Sequence, residues 1–445
     1  MAAILVALLV LPATGAAHAR LRGVETVPQG LRLSFGAPVE SAFLEVSVTR
    51  VGAAVAVRPG VDPVDPQAVL VPLPGPPAPG TAVRWRVLSH DGHVTSGVFT
   101  TGPGRPAAGD GSAERDDGPR AGDVIAGVGR GLVLLGGVLA LGLVAFRRVV
   151  VDAAVASGGL APPGAPPADA FRERAGAALG GAARTWRALW RHALDLSLVG
   201  ALAVAGGTMA ALGDAGLGTL LSETRLGRGV VVIAIAVVGA QALDAATRRR
   251  AGAEPPWLAA AMAVPPALVL GAMSWMGHAS SGNDVTLNIG ADMVHNAATA
   301  AWIGGLLGLV AYLLPAGAAL DAADRVRLVA QGVIRFSTLA TVAVALLVIT
   351  GVYRALAEVG EPGNLLDTGY GVALLVKLGI FVVMLAAGGY NRFVLHPRLE
   401  RAALGLPGGE AAAADRLAAS VRAELVLAGL LLVAVAVLVS NAPTV

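Results

Sequence analysis

Eight apolar runs follow one another after residue 120, and they constrain the fold of this chain more than any other feature. They lie near residues 123–146, 192–213, 228–246, 257–276, 288–314, 336–356, 370–390 and 424–440. A helix needs about 20 apolar residues to cross the hydrocarbon core of a bilayer. With 55% hydrophobic and 14% charged residues, the composition also argues against an ordinary soluble domain. The sequence therefore predicts an all-α polytopic membrane bundle of about eight helices over residues 122–445.

Arginine residues are divided unevenly between the two ends of the predicted bundle. The loops at one end carry residues 147–148, 172–191, 248–250, 325–335 and 392–416, each of which begins or ends with Arg. The loops at the other end hold only Arg225, with Arg228 and Arg354 at helix ends. Because cytoplasmic loops are enriched in Arg and Lys, we expect a multi-pass protein of the cytoplasmic membrane whose N-terminal domain lies outside.

The first residues are typical of an export signal. Residues 3–11 are apolar and residues 12–17 are mostly small, so residues 1–17 are predicted to be a signal peptide. Cleavage after Ala17 would make His18 the first residue of the mature chain, whereas cleavage after Ala19 would remove His18. An uncleaved membrane anchor is the alternative.

The region over residues 18–102 has a β pattern. Apolar and polar residues alternate over 31–35, 43–49, 53–57, 68–73, 82–88 and 97–100, and turns rich in Gly and Pro separate these segments. Several short strands in so few residues predict an all-β sandwich or Greek-key barrel. Residues 103–121 lack an apolar period and are predicted to be a flexible linker.

Some classes of function are disfavoured by what the sequence lacks. Cysteine is absent, so any metal must be held by His, Met, carboxylate or backbone groups. There is no basic stripe with interleaved aromatic residues, which argues against a nucleic-acid partner. There is also no Walker A or aspartyl-phosphate motif, which argues against ATP-driven pumping. No catalytic residues are predicted, and we do not expect an enzyme.

Three residues of the β region form a candidate metal site: His18, Asp91 and His93. Imidazole and carboxylate groups, together with a free amine if His18 is N-terminal, are a nitrogen-rich hard-donor set that suits Cu(II). The region has no Met after residue 1 until Met209, so only a Cu(II) site is supported there. The alternative is a polar hairpin in which Asp91 and Gly92 simply make the turn.

The segment at residues 85–97, WRVLSHDGHVTSG, resembles the W-R-V-x-S-x-D-G-H-x-x-x-G signature of the CopC copper-resistance proteins. The resemblance implies a small secreted β-sandwich, Ig-like or cupredoxin-like with Greek-key topology, over residues 18–102. It also implies Cu(II) ligands: the amine and imidazole of His18, the carboxylate of Asp91 and the imidazole of His93.

The predicted bundle is similar to CopD, the membrane partner that is often fused to CopC. The similar stretches are Gly277-His278-Ala279, His295 with Trp302-Ile303-Gly304-Gly305, Arg335-Phe336-Ser337, Thr350-Gly351-Val352, and Tyr370-Gly371 with Lys377-Leu378. The resemblance implies a CopC–CopD fusion whose partners are the copper ion and the lipid bilayer. A periplasmic or extracellular copper chaperone is a further candidate partner, and the oligomeric state is left open.

Two predicted membrane helices carry most of the candidate copper-path residues. These residues are Met273, Met276, His278, Asp292, Met293 and His295. Asp292 and His295 share a helical stripe with Thr299 and Trp302. Thioether sulfur suits Cu(I) and imidazole serves either oxidation state, so Cu(I) is a candidate cofactor of the membrane domain. The alternative is that the Met residues only fill gaps in helix packing.

Lys377 is the only Lys of the chain and lies within a predicted span. Asp292 is placed at a similar depth, and an unpaired charge there would be costly. We therefore expect a buried ion pair between Lys377 and Asp292, either as structural support or as part of a gate.

The function predicted from these features is copper capture outside the membrane followed by transport across it, in the direction of uptake. Two alternatives remain. One is a membrane haem, electron-transfer or metal-reducing protein. The other is copper efflux or buffering in resistance.

Overall fold

The computed structural model describes residues 21–50, 52–101, 121–165, 167–213, 216–248, 257–277, 284–359, 364–367, 369–409 and 412–440. The predicted signal peptide, His18, residues 103–120 of the predicted linker and His278 lie outside the described residues.

The N-terminal region forms two four-stranded antiparallel sheets, which confirms the predicted all-β domain. The strands are β1 Leu21–Val27, β2 Gly30–Phe35, β3 Val39–Arg50, β4 Ala53–Val55, β5 Gly60–Val61, β6 Ala68–Pro72, β7 Ala82–Ser89 and β8 Val94–Thr100. One sheet has the order β1-β2-β6-β5 and the other β4-β3-β7-β8. The sequence pattern did not predict β1 or β5, since β1 is largely exposed and β5 has only two residues.

Trp85 organises the core between the two sheets. Its ring lies edge-on to Phe35, with ring centroids 5.2 Å apart, and it is 3% exposed. In the β7–β8 register Trp85 stands opposite Gly97, where a Cβ would lie 2.8 Å from the indole ring. The glycine at this position makes room for the indole, which explains why the two residues occur together in the sequence motif.

The rest of the described chain is helical, as predicted. The helices are α1 Ala121–Ala156, α2 Ala168–Leu212, α3 Leu217–Glu223, α4 Arg225–Arg248, α5 Trp257–Met276, α6 Val285–Ala318, α7 Ala322–Val359, α8 Asn364–Asp367, α9 Gly371–Ala403 and α10 Ala413–Ser440. Among the described residues, six are long and apolar enough to cross a membrane: α1, α2, α4, α6, α7 and α9. The two other predicted spans, 257–276 and 424–440, fall in α5 and α10.

Helices α1 and α2 pack with their backbones in contact. A Cβ at Gly129 of α1 would lie 2.6 Å from the carbonyl oxygen of Gly200 of α2. Seven residues away on each helix, Gly122 and Gly207 are equally close. Small residues at such interfaces let membrane helices approach closely, and the seven-residue spacing keeps them on one face. This seam fixes α1 firmly against α2.

The β domain is docked on the end of the bundle where α2 ends and α4 begins. Arg86 Nη1 donates a hydrogen bond to the Leu212 carbonyl at 3.1 Å, and the Arg225 backbone N–H donates to Glu40 Oε1 at 2.8 Å. Leu88 is fully buried among residues of the bundle core. These contacts place the loop after β7 directly against the helices.

Candidate functional site

Residues 90–93, here called the β7–β8 loop, form a tight turn between the two strands. The Gly92 N–H donates to the Ser89 carbonyl at 2.8 Å, and the Ser89 N–H donates to the His93 carbonyl at 2.9 Å. Gly92 has a φ of +79°, a left-handed conformation that glycine adopts without steric cost. The turn is thus encoded locally, and it brings Asp91 and His93 to one side.

Asp91 holds the imidazole of His93. Asp91 Oδ1 accepts a hydrogen bond from the His93 N–H at 3.2 Å and also lies 3.2 Å from His93 Nδ1. The Asp91 side chain is 1% exposed and that of His93 is 18% exposed. Asp91 therefore belongs to the turn, as expected for a polar hairpin. The same carboxylate also orients the imidazole of His93, a potential metal ligand. His18, the third residue of the predicted metal site, lies outside the described residues.

Arg130 of α1 reaches the same loop from the bundle. Its Nη2 donates to the Gly92 carbonyl at 2.8 Å, and its Nη1 lies 3.3 Å from His93 Nε2. Arg130 is 7% exposed, and Asp91 and Asp123 are the carboxylates whose charges act on it. Sequence reasoning missed this residue, although a lone Arg inside an apolar span is a recognised signal of function.

His90 is the second histidine of the β7–β8 loop. It is half-buried between the β domain and the bundle, with Nε2 3.9 Å from Glu40 Oε2. Desolvation lowers the pKa of His90, and the nearby Glu40 carboxylate opposes that shift only in part. Burial at the interface therefore favours the neutral form of His90.

A second group of polar side chains lies between α5, α6 and α7. This group, here called the membrane cluster, consists of Ser274, Asp292, His295, Asn296, Thr350 and Arg354. Asp292 is its centre: it accepts hydrogen bonds from Ser274 Oγ at 2.6 Å, from Asn296 Nδ2 at 3.0 Å and from Arg354 Nη1. Buried charges in a membrane span are tolerated when they are paired in this way.

The ion pair described for Asp292 is with Arg354, whereas the sequence suggested Lys377. Arg354 was assigned from sequence to a helix end, so its reach back to Asp292 was not foreseen. Lys377 lies close enough to His295 for its charge to act on that side chain. Pairing of Lys377 with Asp292 stays a prediction.

His295 is oriented by Thr350 of α7. His295 Nδ1 lies 2.9 Å from Thr350 Oγ1, and that hydroxyl lies 2.6 Å from the Leu346 carbonyl. Because the hydroxyl hydrogen is donated to the carbonyl, Thr350 Oγ1 accepts from Nδ1–H. The lone pair of the imidazole is then on Nε2, as in histidines that an outer partner prepares for a metal.

The methionine candidates fall into two groups. Met273 and Met276 are buried, at 6% and 3% exposure, and Met276 Sδ packs against Gly229 of α4. Met293 is 46% exposed, which makes it the weakest candidate. His278 lies outside the described residues. Within the described parts of the chain, no three His, Asp or Glu side chains come together as a metal site.

The α7 residues of the membrane cluster, together with the nearby Tyr353, follow a helical spacing that the sequence does show. Thr350, Tyr353 and Arg354 are at positions i, i+3 and i+4, which lie on one face of a helix. Tyr353 donates to Asn288 Oδ1 of α6 at 2.7 Å. Three polar residues on one face of an apolar helix would have predicted a facing polar partner.

A cavity of about 280 Å³ lies between α6, α7, α9 and α10, apart from the membrane cluster. Its wall is mainly apolar, with Glu424, Asn391 and His396 among the polar exceptions. Glu424 is 1% exposed and accepts a hydrogen bond from Asn391. None of the candidate copper-path residues lines this cavity.

Two family models match the chain. The model of the CopC domain matches residues 14–101, and the model of Copper resistance protein D matches residues 330–438. Copper resistance protein D of Pseudomonas syringae pv. tomato is 30% identical over 138 residues, which is 30% of this chain and 44% of that protein. Copper transport protein CutJ of Bacillus subtilis (strain 168) is 33% identical over 117 residues, 26% of this chain and 21% of that protein. The matched part is less than half the length of either relative. Both resemblances drawn from the sequence motifs are confirmed.

Proposed function

We propose that this chain, a fusion of a CopC domain with a CopD domain, binds copper outside the cytoplasmic membrane and carries it inward. The observation that carries the proposal is the position of the β7–β8 loop. Gly92 contacts Leu226 of α4, and Gly229, three residues further along, contacts the sulfur of Met276. Because three helical residues rise about 4.5 Å, the candidate capture loop ends roughly one turn from a buried thioether.

The capture site is proposed to take Cu(II). Asp91 and His93 place an oxygen and a nitrogen donor on one tight turn, the donor types that Cu(II) prefers. We propose His18 as the third ligand, which requires removal of residues 1–17 as a signal. In this arrangement residues 18–102 form the capture domain, 103–121 the linker and 122–445 the transport domain.

The proposed path continues through Met276 and Met273 to the membrane cluster, with His295 as its imidazole ligand and His278 as a further candidate. Thioethers prefer Cu(I), whereas imidazole binds both oxidation states. The thioethers of the path therefore suit the reduced ion. The Asp292 carboxylate is paired with the Arg354 guanidinium. We propose Lys377 as a second cationic partner of Asp292.

The proposed direction of transport follows from the family resemblance and from the placement of the capture domain outside the membrane. That placement follows from the distribution of Arg residues between the two ends of the bundle. We propose that the Arg-rich end of the bundle faces the cytoplasm, where Arg and Lys are enriched. In support, α2 begins among the Arg-rich segments and ends at Leu212, beside the docked β domain. The β domain is then outside, where a copper chaperone of the periplasm or the extracellular space could deliver the ion.

Total cell copper, measured by mass spectrometry in a host that lacks the protein, tests this function. At limiting external copper, the wild-type chain should raise cell copper and His295→Ala should not. His192→Ala is the matched control, since that side chain is 72% exposed, and it should behave as wild type. Lower cell copper would indicate efflux instead. An unchanged level in all three would favour buffering or electron transfer.

A further inference from the structure

Arg130 connects the candidate capture loop to the bundle through the imidazole of His93. An Arg guanidinium carries only hydrogen-bond donors, so its contact at 3.3 Å with His93 Nε2 requires a lone pair on that nitrogen. His93 Nδ1 then carries the hydrogen and donates it to Asp91 Oδ1, 3.2 Å away. Both ring nitrogens are therefore engaged while Arg130 is in this position.

A metal ion binds neutral imidazole through the nitrogen that lacks the hydrogen. In His93 that nitrogen is Nε2, the atom to which Arg130 donates. Arg130 and copper therefore compete for one lone pair. They also compete through charge, because a guanidinium stays positive at every physiological pH and repels a divalent cation a few ångströms away.

We propose that Arg130 is a positioning residue that closes His93 to Cu(II) when the β domain is docked on the bundle. Copper binds when the guanidinium withdraws, and the return of the guanidinium releases the ion. This inference rests on the proposed copper function of the Asp91–His93 pair. It adds a release step that links occupancy of the capture site to domain docking.

Burial gives the contact its strength. Arg130 is 7% exposed, and a buried guanidinium is costly without partners. The Gly92 carbonyl at 2.8 Å and the charges of Asp91 and Asp123 supply them. A Cβ at Gly92 would lie 3.0 Å from Arg130 Nη2 and would collide with Leu226 Cδ1, so a larger residue there would displace these two side chains.

The test is a Cu(II) affinity measurement on the full chain in lipid nanodiscs. Cu(II) is titrated against nitrilotriacetate, and the bound ion is followed by electron paramagnetic resonance. If the docked form holds most molecules, the apparent affinity is lowered by the fraction that is open. Arg130→Met should then bind Cu(II) about tenfold more tightly than wild type, and Arg130→Lys, which keeps the charge, should stay within about threefold of wild type.

Arg86→Met is the matched control, because Arg86 bridges the same two domains through the Leu212 carbonyl without touching the His93 ring. It should raise the affinity by less than Arg130→Met does, because it removes one hydrogen bond between the domains and leaves the Arg130–His93 contact in place. An equal gain in Arg86→Met and Arg130→Met would overturn the specific role of Arg130. Thermal unfolding without copper checks that each variant folds, and Arg130→Gln replaces Arg130→Met if the latter does not.

His93→Ala in the wild-type and Arg130→Met backgrounds separates the two proposals. Binding that depends on His93 but is equal in wild type and Arg130→Met would overturn the Arg130 inference and leave the capture site intact. Binding that ignores His93 in both backgrounds would overturn the capture site and the inference with it.

Discussion

The β7–β8 loop and the membrane cluster use the same three groups, a carboxylate, an imidazole and a guanidinium, but connect them differently. In the loop, Arg130 contacts the imidazole of His93. In the membrane cluster, Arg354 contacts the carboxylate of Asp292, and the imidazole of His295 is held by the neutral hydroxyl of Thr350. The two regions therefore differ in whether the guanidinium contacts the imidazole or the carboxylate.

The difference separates two kinds of site. At the β7–β8 loop the cation has to leave before the imidazole can accept a metal. In the membrane cluster the cation balances a buried negative charge, and its removal would expose that charge to an apolar environment. The Arg130–His93 contact is therefore suited to breaking and re-forming, whereas the Asp292–Arg354 pair is suited to staying in place.

The largest effect is expected from Asp292→Asn, which tests whether the Asp292–Arg354 pair stabilises the fold. Removal of the carboxylate leaves the Arg354 charge without its main partner, and breaking a buried pair on one side costs about 3–5 kcal/mol. Thermal unfolding in detergent should show a loss of this order. The double variant Asp292→Asn/Arg354→Met should recover much of it, and an undiminished loss in the double variant would remove the ion pair as the cause.

The complementary test at the loop is His93→Ala in the Cu(II) titration. Loss of a direct ligand should weaken binding by more than about 100-fold, beyond the loss typical of an outer partner. The neighbouring His90→Ala is the control, because His90 is directed to Glu40, and it should leave Cu(II) affinity nearly unchanged. Equal losses in both variants would mean that the loop conformation, rather than the His93 ring, holds the ion.

A smaller effect is expected from Thr350→Val, which keeps the shape of the side chain and removes the hydrogen bond to His295. Loss of an outer partner of a metal-binding histidine typically costs about tenfold or somewhat more, here measured as the rate of copper uptake. Thr341→Val on the same helix is matched, since that hydroxyl is exposed and bonds only the Ser337 carbonyl among its described contacts. Identical rates for the two variants would refute the orienting role of Thr350.

The smallest effect concerns Asp62, a carboxylate far from both sites that serves as a baseline. A hydrogen bond from the Val64 N–H, aided by Arg32, lowers the pKa of Asp62. A lowered folded pKa means that Asp62 adds stability above its unfolded value, about 3.9, and that this contribution is lost as pH falls through the folded value. Between pH 5 and pH 3, the midpoint temperature of unfolding should fall slightly more for wild type than for Asp62→Asn. A steeper loss in the variant would reverse this assignment.

The sequence was sufficient for features that depend on local spacing. Alternation predicted most strands, and the length of the apolar runs predicted the long helices. The Asp91–His93 pair was also accessible, because two residues on one tight turn are neighbours by geometry.

The sequence was insufficient for contacts that depend on how helices rotate and pack. Depth along a span suggested Lys377 as the partner of Asp292, yet the described pair is with Arg354, 62 residues away in sequence. Depth gives no information about which face a side chain occupies. The Arg130–His93 contact joins two domains across 37 residues, so neither domain pattern alone could reveal it.

The glycine seam between α1 and α2 has a mechanical consequence for Arg130. Gly129, the residue before Arg130, packs tightly against Gly200 of α2. The main chain at Arg130 is therefore held in place by the contact between the two helices. Withdrawal of the guanidinium must then come from rotation of its own side chain or from lifting of the β domain, while the helix itself stays still. Copper binding should therefore change amide hydrogen exchange in the β domain and leave exchange along the α1–α2 interface unchanged.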